Sequence, residues 1–149
     1  MMACARILQI LTGVIFLGSG IEKMLNIDAF AGVVQYVLAS TGQSSTWAMA
    51  LAATLGGIEA LLGLSLLTAW APRRVAAIAG VAVVLLTIVL VRLWLDPNAP
   101  PCRCTAWIRI TAHVTDSAPF GIARNAFLML AVVFIWWAHG RSVQRSARD

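Results

Sequence analysis

The chain has 149 residues, of which 60% are hydrophobic and only 11% charged, with a formal net charge of +5. That mixture is too apolar for an ordinary water-soluble domain. The positive charge does not point to nucleic acid, because the basic residues sit at the ends of apolar runs, where they set membrane topology.

Four apolar runs approach or exceed the roughly 20 residues that cross a hydrocarbon core of about 30 Å. They predict spans at about 6–25, 47–70, 74–95 and 121–140. No alternating pattern of a barrel strand is visible, and a spanning segment must satisfy its own backbone hydrogen bonds. The expected fold class is therefore all-α, a four-transmembrane-helix bundle forming one membrane domain over residues 1–149. Arg6 and the small residues Gly18, Ser19 and Gly20 give the first run a signal-like look. Its apolar stretch is at the upper limit of the about 7–15 residues usual in a signal peptide, so it is read as a retained span.

Between the first two spans, Phe30, Val33, Val34, Val37 and Leu38 recur at helical spacing, with Asn26 or Asp28 as N-cap. This predicts a short amphipathic helix over about 27–39, lying on the outer interface with Tyr36 at headgroup level. In the second span, Ala52, Gly56, Ala60 and Gly63 form a face of small residues that admits another helix backbone. Glu59 shares that face and is expected to point into the bundle.

Arg6, Arg73, Arg74, Arg141, Arg145 and Arg148 fall on one side of the bilayer, which makes that side cytoplasmic, with both termini on it. Lys23, Arg103 and Arg109 fall on the other side, and Arg92 and Arg124 lie near its boundary. The loop at 96–120 is then outside, where a disulfide can persist. That loop carries Cys102 and Cys104, one residue apart. A bond between positions i and i+2 crosslinks nothing remote and is strained, hence easily reduced, and Arg103 favours the thiolate. Redox activity, an inert or regulatory pair and metal binding all stand as readings. Metal ranks last, because His113 is the one further ligand nearby in sequence and His139 is at the opposite face. Cys4 reads as an unpaired thiol on the cytoplasmic side, and Trp136 with Trp137 as an interfacial belt.

A second constellation comes from depth. Glu22 lies about 24 Å along the first span from Arg6, Arg92 and Arg124 reach a similar level, and Glu59 lies about 18 Å below Trp47. An ionised carboxylate at that depth costs on the order of 2.5–3.5 kcal/mol, so Glu59 requires protonation or a partner, with Lys23, Arg92 and Arg124 available. Either the charge fixes helix register, or it marks a proton or ligand site. Lys23 and Arg92 are alternatively snorkelling helix-end residues. Arg124 with Asn125 is expected at a helix N-terminus, where an acceptor or anion is favoured.

Phe16 to Lys23, the Phe30 to Leu38 stretch, Glu59 followed by Gly63, the Cys-x-Cys loop and Arg124-Asn125 together resemble the DoxX/MauE-like membrane family over nearly the whole chain. The resemblance implies a bundle of the quinone-linked thiol oxidoreductase type in the bacterial inner membrane. It puts the polar cluster on Glu22, Lys23, Glu59, Arg124 and Asn125, and the thiol pair on Cys102 and Cys104. This chain departs from the family's frequent Cys-Gly-Cys-Phe-Gly, reading Cys102-Arg103-Cys104-Thr105-Ala106. The functional expectation is electron exchange between the Cys102/Cys104 pair, a thioredoxin-like or exported partner, and a quinone near Glu22, Glu59, Arg92 and Arg124. The alternative is a non-catalytic membrane subunit that anchors or assembles a larger redox complex. A small proton-coupled transporter is a third reading, lacking the broken helices or repeats of that class.

Overall fold

The computed structural model describes residues 2–39, 45–68, 72–99 and 118–146. Five helices account for nearly all of them: α1 (Met2–Leu25), α2 (Ile27–Ala39), α3 (Ser45–Leu67), α4 (Pro72–Leu95) and α5 (Ala118–Ser146). All but α2 are long and apolar enough to span a bilayer. The expected all-α architecture with four spans is therefore the observed one.

The boundaries follow local chemistry. Pro72 opens α4, a position where its missing N–H costs nothing and its fixed φ suits the helix. Pro119 in the first turn of α5 has the same effect, and that helix starts earlier than the apolar run at 121–140 predicts. Asn26 is the single residue separating α1 from α2. Its carbonyl accepts the N–H of Phe30 at 3.1 Å, as an N-cap carbonyl does, but its side-chain amide donates backward to the carbonyl of Glu22 at 3.2 Å. The break is thus a bend held from both sides, and α2 leaves α1 without an intervening loop.

The most extensive packing joins α1 to α3 and α4 to α5; α1 against α5 links the two pairs, and α2 lies against α3. Glycine sets the first pairing. A Cβ on Gly20 would stand 2.5 Å from the amide nitrogen of Ala60 and 2.7 Å from the carbonyl oxygen of Gly56. One on Gly63 would strike the Leu17 amide nitrogen and the Gly13 carbonyl oxygen. These backbones touch because no side chain intervenes, which is how helices associate where lipid removes the hydrophobic drive. Ala52 is buried on the same face, as the small-residue pattern predicts. Phe16, Leu66, Val83, Leu128 and Ile135 belong to the main apolar core.

Two contacts define one end of the bundle, here called the terminal face. The Gln9 amide of α1 donates to the Leu66 carbonyl near the end of α3, and Arg73 near the start of α4 lies 4.9 Å from the Trp136 ring centroid on α5. At the opposite end, the loop face, Val33, Tyr36 and Val37 of α2 pack with Leu90 and Leu93 of α4 and with Ala99. So α2 is clamped over the helix ends instead of lying on the lipid interface alone.

Candidate functional site

Three spans contribute polar side chains to one interior region towards the loop face. In α1, Ser19 and Lys23 are one turn apart and therefore share a face. Lys23 is in the last turn, where a cation also suits the helix dipole. Glu59 comes from α3, brought close by the glycine contacts just described, and Arg124 and Asn125 come from α5.

Glu59 is only 5% exposed and makes two contacts across the α1–α3 interface. Its Oε1 pairs with the Nζ of Lys23, and its Oε2 accepts from the Ser19 hydroxyl at 3.1 Å. Lys23 is 8% exposed, so it is an interior partner and does not snorkel to the interface. Its ammonium also lies 5.1 Å from the Phe30 ring centroid, a cation–π contact that ties the pair to α2. The expensive buried carboxylate thus has the partner that its depth demands.

Arg124 and Asn125 line the same cleft as Glu59, together with Ile15, Phe16, Ser19 and Val83. The space left in it is about 10 Å³, room for about one water molecule. Arg124 Nη2 donates to Asn125 Oδ1 at 3.2 Å, and Asn125 Nδ2 donates to the Thr87 hydroxyl at 3.2 Å. Thr87 in turn donates to the Val83 carbonyl at 2.7 Å. Because α5 begins at Ala118, Arg124 and Asn125 lie more than a turn inside the helix. The backbone N–H groups there are bonded within the helix, so the expected helix N-terminal acceptor site does not exist at these residues.

Asn125 has a second side. It also lines a groove of about 410 Å³ between α4 and α5, whose other walls include Val84, Thr87, Ile88, Ile122 and Met129. Asn125 and Val83 thus line both a small charged interior cleft and a larger apolar groove.

Of the remaining sequence candidates, Glu22 is buried on α1 at 9% exposure, next to Lys23 in the chain. Arg92 is exposed near the end of α4 and does not line the cleft. Its charge acts on Asp96. Cys102 and Cys104, with Arg103, Arg109 and His113, lie outside the described residues.

Sequence reasoning missed Ser19 as a Glu59 partner, Thr87, and the link between Tyr36 and Asp96. The Tyr36 hydroxyl donates to Asp96 Oδ2 at 2.6 Å, while Asp96 Oδ1 accepts the Asn98 N–H at 3.0 Å. The bond to Asp96 raises the Tyr36 phenol above its ordinary value. The same bond, then the one from Asn98, holds the Asp96 carboxyl below the usual carboxylate range. Thr87 and Ser19 had one available signal, a hydroxyl inside an apolar span; the Tyr36–Asp96 link, 60 residues apart, had none.

No curated protein and no solved structure matches the chain. The family model described as methylamine utilisation protein MauE matches residues 1–138, taking in the first three spans, all but the last residue of the fourth, α2 and every polar residue of the interior cluster. The chain is a membrane protein that belongs to the MauE family.

Proposed function

We propose that this protein is an integral membrane redox protein. Its Cys102/Cys104 pair exchanges electrons with a thioredoxin-like or exported partner, and a quinone is the final acceptor. In this reading the loop face is the outer side of a bacterial inner membrane and both termini are cytoplasmic, in keeping with Arg6, Arg73 and Arg74 at the terminal face. The family description names methylamine utilisation, and an exported redox protein of that process is the partner this reading proposes.

The observation that carries the reading is the Lys23–Glu59 ion pair with Ser19, in a cleft shared with Arg124 and Asn125. An acid and a base held together inside a membrane bundle carry a desolvation cost, and intramembrane ionisable residues are a mark of functional paths. Towards the loop face, the Tyr36–Asp96 bond and the packing of Ala99 fix the chain three residues before Cys102.

The exchange balances as follows. A partner thiolate attacks one sulfur of the oxidised Cys102–Cys104 pair, and that S–S bond breaks as a mixed disulfide forms. The partner's second thiolate then breaks the mixed disulfide. The partner is left oxidised, and Cys102 and Cys104 are left as thiols that have gained two electrons and two protons. A quinone, when bound, would accept both. The cleft at Glu59 is too small for a quinone ring, whereas the α4–α5 groove falls within the roughly 300–1,000 Å³ of ordinary ligand sites. Asn125 and Thr87 would hold the ring there, and Glu59 lines the adjoining cleft together with Asn125.

Differential alkylation of native membranes tests this. Cys102 and Cys104 are expected to resist alkylation until a reductant is added, and thiols that are always free refute the relay. The rival reading, a non-catalytic subunit that anchors or assembles a redox complex, requires instead that a Cys102→Ser/Cys104→Ser variant leave the complex fully active.

A further inference from the structure

Among the described residues, two buried polar atoms near the terminal face have no hydrogen-bond partner: Oε1 of Gln9 and Oγ1 of Thr12. Gln9 is 0% and Thr12 1% exposed, so bulk solvent reaches neither. The orientation of Gln9 is fixed, since its Nε2 donates to the Leu66 carbonyl at 2.6 Å and a flipped amide would set two oxygens against each other. The unsatisfied atom is therefore its oxygen.

Thr12 is the exception among the threonines whose side chains are described. Thr54, Thr68 and Thr87 each donate to the carbonyl one turn earlier, at 2.8, 3.2 and 2.7 Å. That local bond is the ordinary resort of a helical threonine in an apolar setting. The Thr12 hydroxyl makes no such bond. It is spaced i+3 from Gln9, on the same helix face, where Cβ atoms are about 5–6 Å apart. Neither atom bonds to the other or to any described group, which suits the two to one bridging molecule with a hydrogen to give and a lone pair to offer.

We propose that Gln9 and Thr12 bind an internal water molecule, forming a hydration site near the terminal face that the ring of Phe16 separates from the Glu59 cleft. Buried water typically makes two to four hydrogen bonds to groups left unsatisfied by the protein, which is the demand these two atoms present. Phe16 is one turn beyond Thr12. Helical side chains lean towards the N-terminus, which carries the ring back over Thr12. Phe16 is 4% exposed and forms part of the wall of the cleft containing Glu59. The interior of α1 thus reads Gln9, Thr12, Phe16, Ser19, Lys23: two wet positions with one apolar partition. This assignment is independent of the redox reading, since it uses none of its residues as donors or ligands.

The isosteric change Thr12→Val separates a hydrated hydroxyl from an orphaned one. If the hydroxyl is bonded to water, the full-length protein in detergent loses a hydrogen bond and its Tm falls by a few degrees, while Thr12→Ser behaves like the parent. If the hydroxyl is orphaned, removing it relieves a desolvation penalty, and an unchanged or raised Tm overturns the proposal. Radiolytic hydroxyl-radical labelling, in which bound water is the radical source, gives a readout that does not depend on stability. Phe16 is expected to be modified in the parent protein despite its burial, with the modification lost in Thr12→Val. An unmodified Phe16 in the parent protein overturns the site. Phe16→Ala is expected to join the two wet positions and raise the proton leak of proteoliposomes above that of the parent. Vesicles as tight as the parent's refute the partition.

Discussion

Lys23 and Glu59 meet across the α1–α3 interface with 8% and 5% of their surfaces exposed, at the point where Gly20 lets the two backbones touch. The close approach and the ion pair depend on each other. Removing one partner leaves a buried charge alone, whereas removing both leaves a gap that apolar atoms can fill.

Lys23→Met is therefore expected to destabilise the protein by about 3–5 kcal/mol. The double variant Lys23→Met/Glu59→Leu should recover most of that loss. Thermal unfolding in detergent checks both. A double-variant loss equal to the sum of the losses of Lys23→Met and Glu59→Leu alone would mean that the pair contributes nothing beyond its two sites.

Gly20→Ala puts a methyl group 2.7 Å from the Gly56 carbonyl oxygen and closer still to the Ala60 amide, atoms of a rigid helix that cannot turn aside. A loss of about 1–3 kcal/mol or more is expected from overpacking, with weakened Lys23–Glu59 pairing. Gly57→Ala is the control. A Cβ at Gly57 meets nothing within 4 Å, so the change should be neutral or gain about 0.5–1 kcal/mol from helix propensity.

The Tyr36–Asp96 bond gives α2 a pH window. The Asp96 carboxyl is held below its usual range, first by Tyr36 and then by the Asn98 N–H. Its contribution is present above that usual range and is lost as pH falls through the depressed folded value. The Tyr36 phenol is raised, so its contribution holds below the ordinary tyrosine range and is lost as pH rises through the raised folded value. A spin label at exposed Gln35 should report α2 docked between these limits and loosened in strong acid. Tyr36→Phe should loosen it at neutral pH and flatten the response. A label whose mobility ignores both pH and Tyr36→Phe would show that α2 is held by apolar packing alone.

The four spans and α2 were legible because apolar run length and helical periodicity are local properties. The interior position of Glu59 was legible too, from Gly56, Ala60 and Gly63 on its face and from the cost of its charge. Which base would meet it was not. Lys23, Arg92 and Arg124 reach comparable depths, and only the rotation of α1 against α3, set by Gly20 and Gly63, selects Lys23. The helix N-terminus expected at Arg124 failed because the apolar run at 121–140 understates α5, which Pro119 allows to begin a turn earlier. Gln9 and Thr12 carry no signal in the sequence that sets them apart. Their significance is the absence of a partner, which only three-dimensional packing reveals.

The central claim is electron transfer from Cys102 and Cys104 to a quinone, and reconstitution tests it most directly. The full-length protein, reduced and placed in nanodiscs with a ubiquinone analogue, would be followed by quinone absorbance while Cys102 and Cys104 are counted by alkylation. The account predicts that one quinone is reduced for each thiol pair lost, and that Asn125→Leu slows the loss without unfolding the bundle. Quinone that stays oxidised while both thiols remain alkylatable would contradict it.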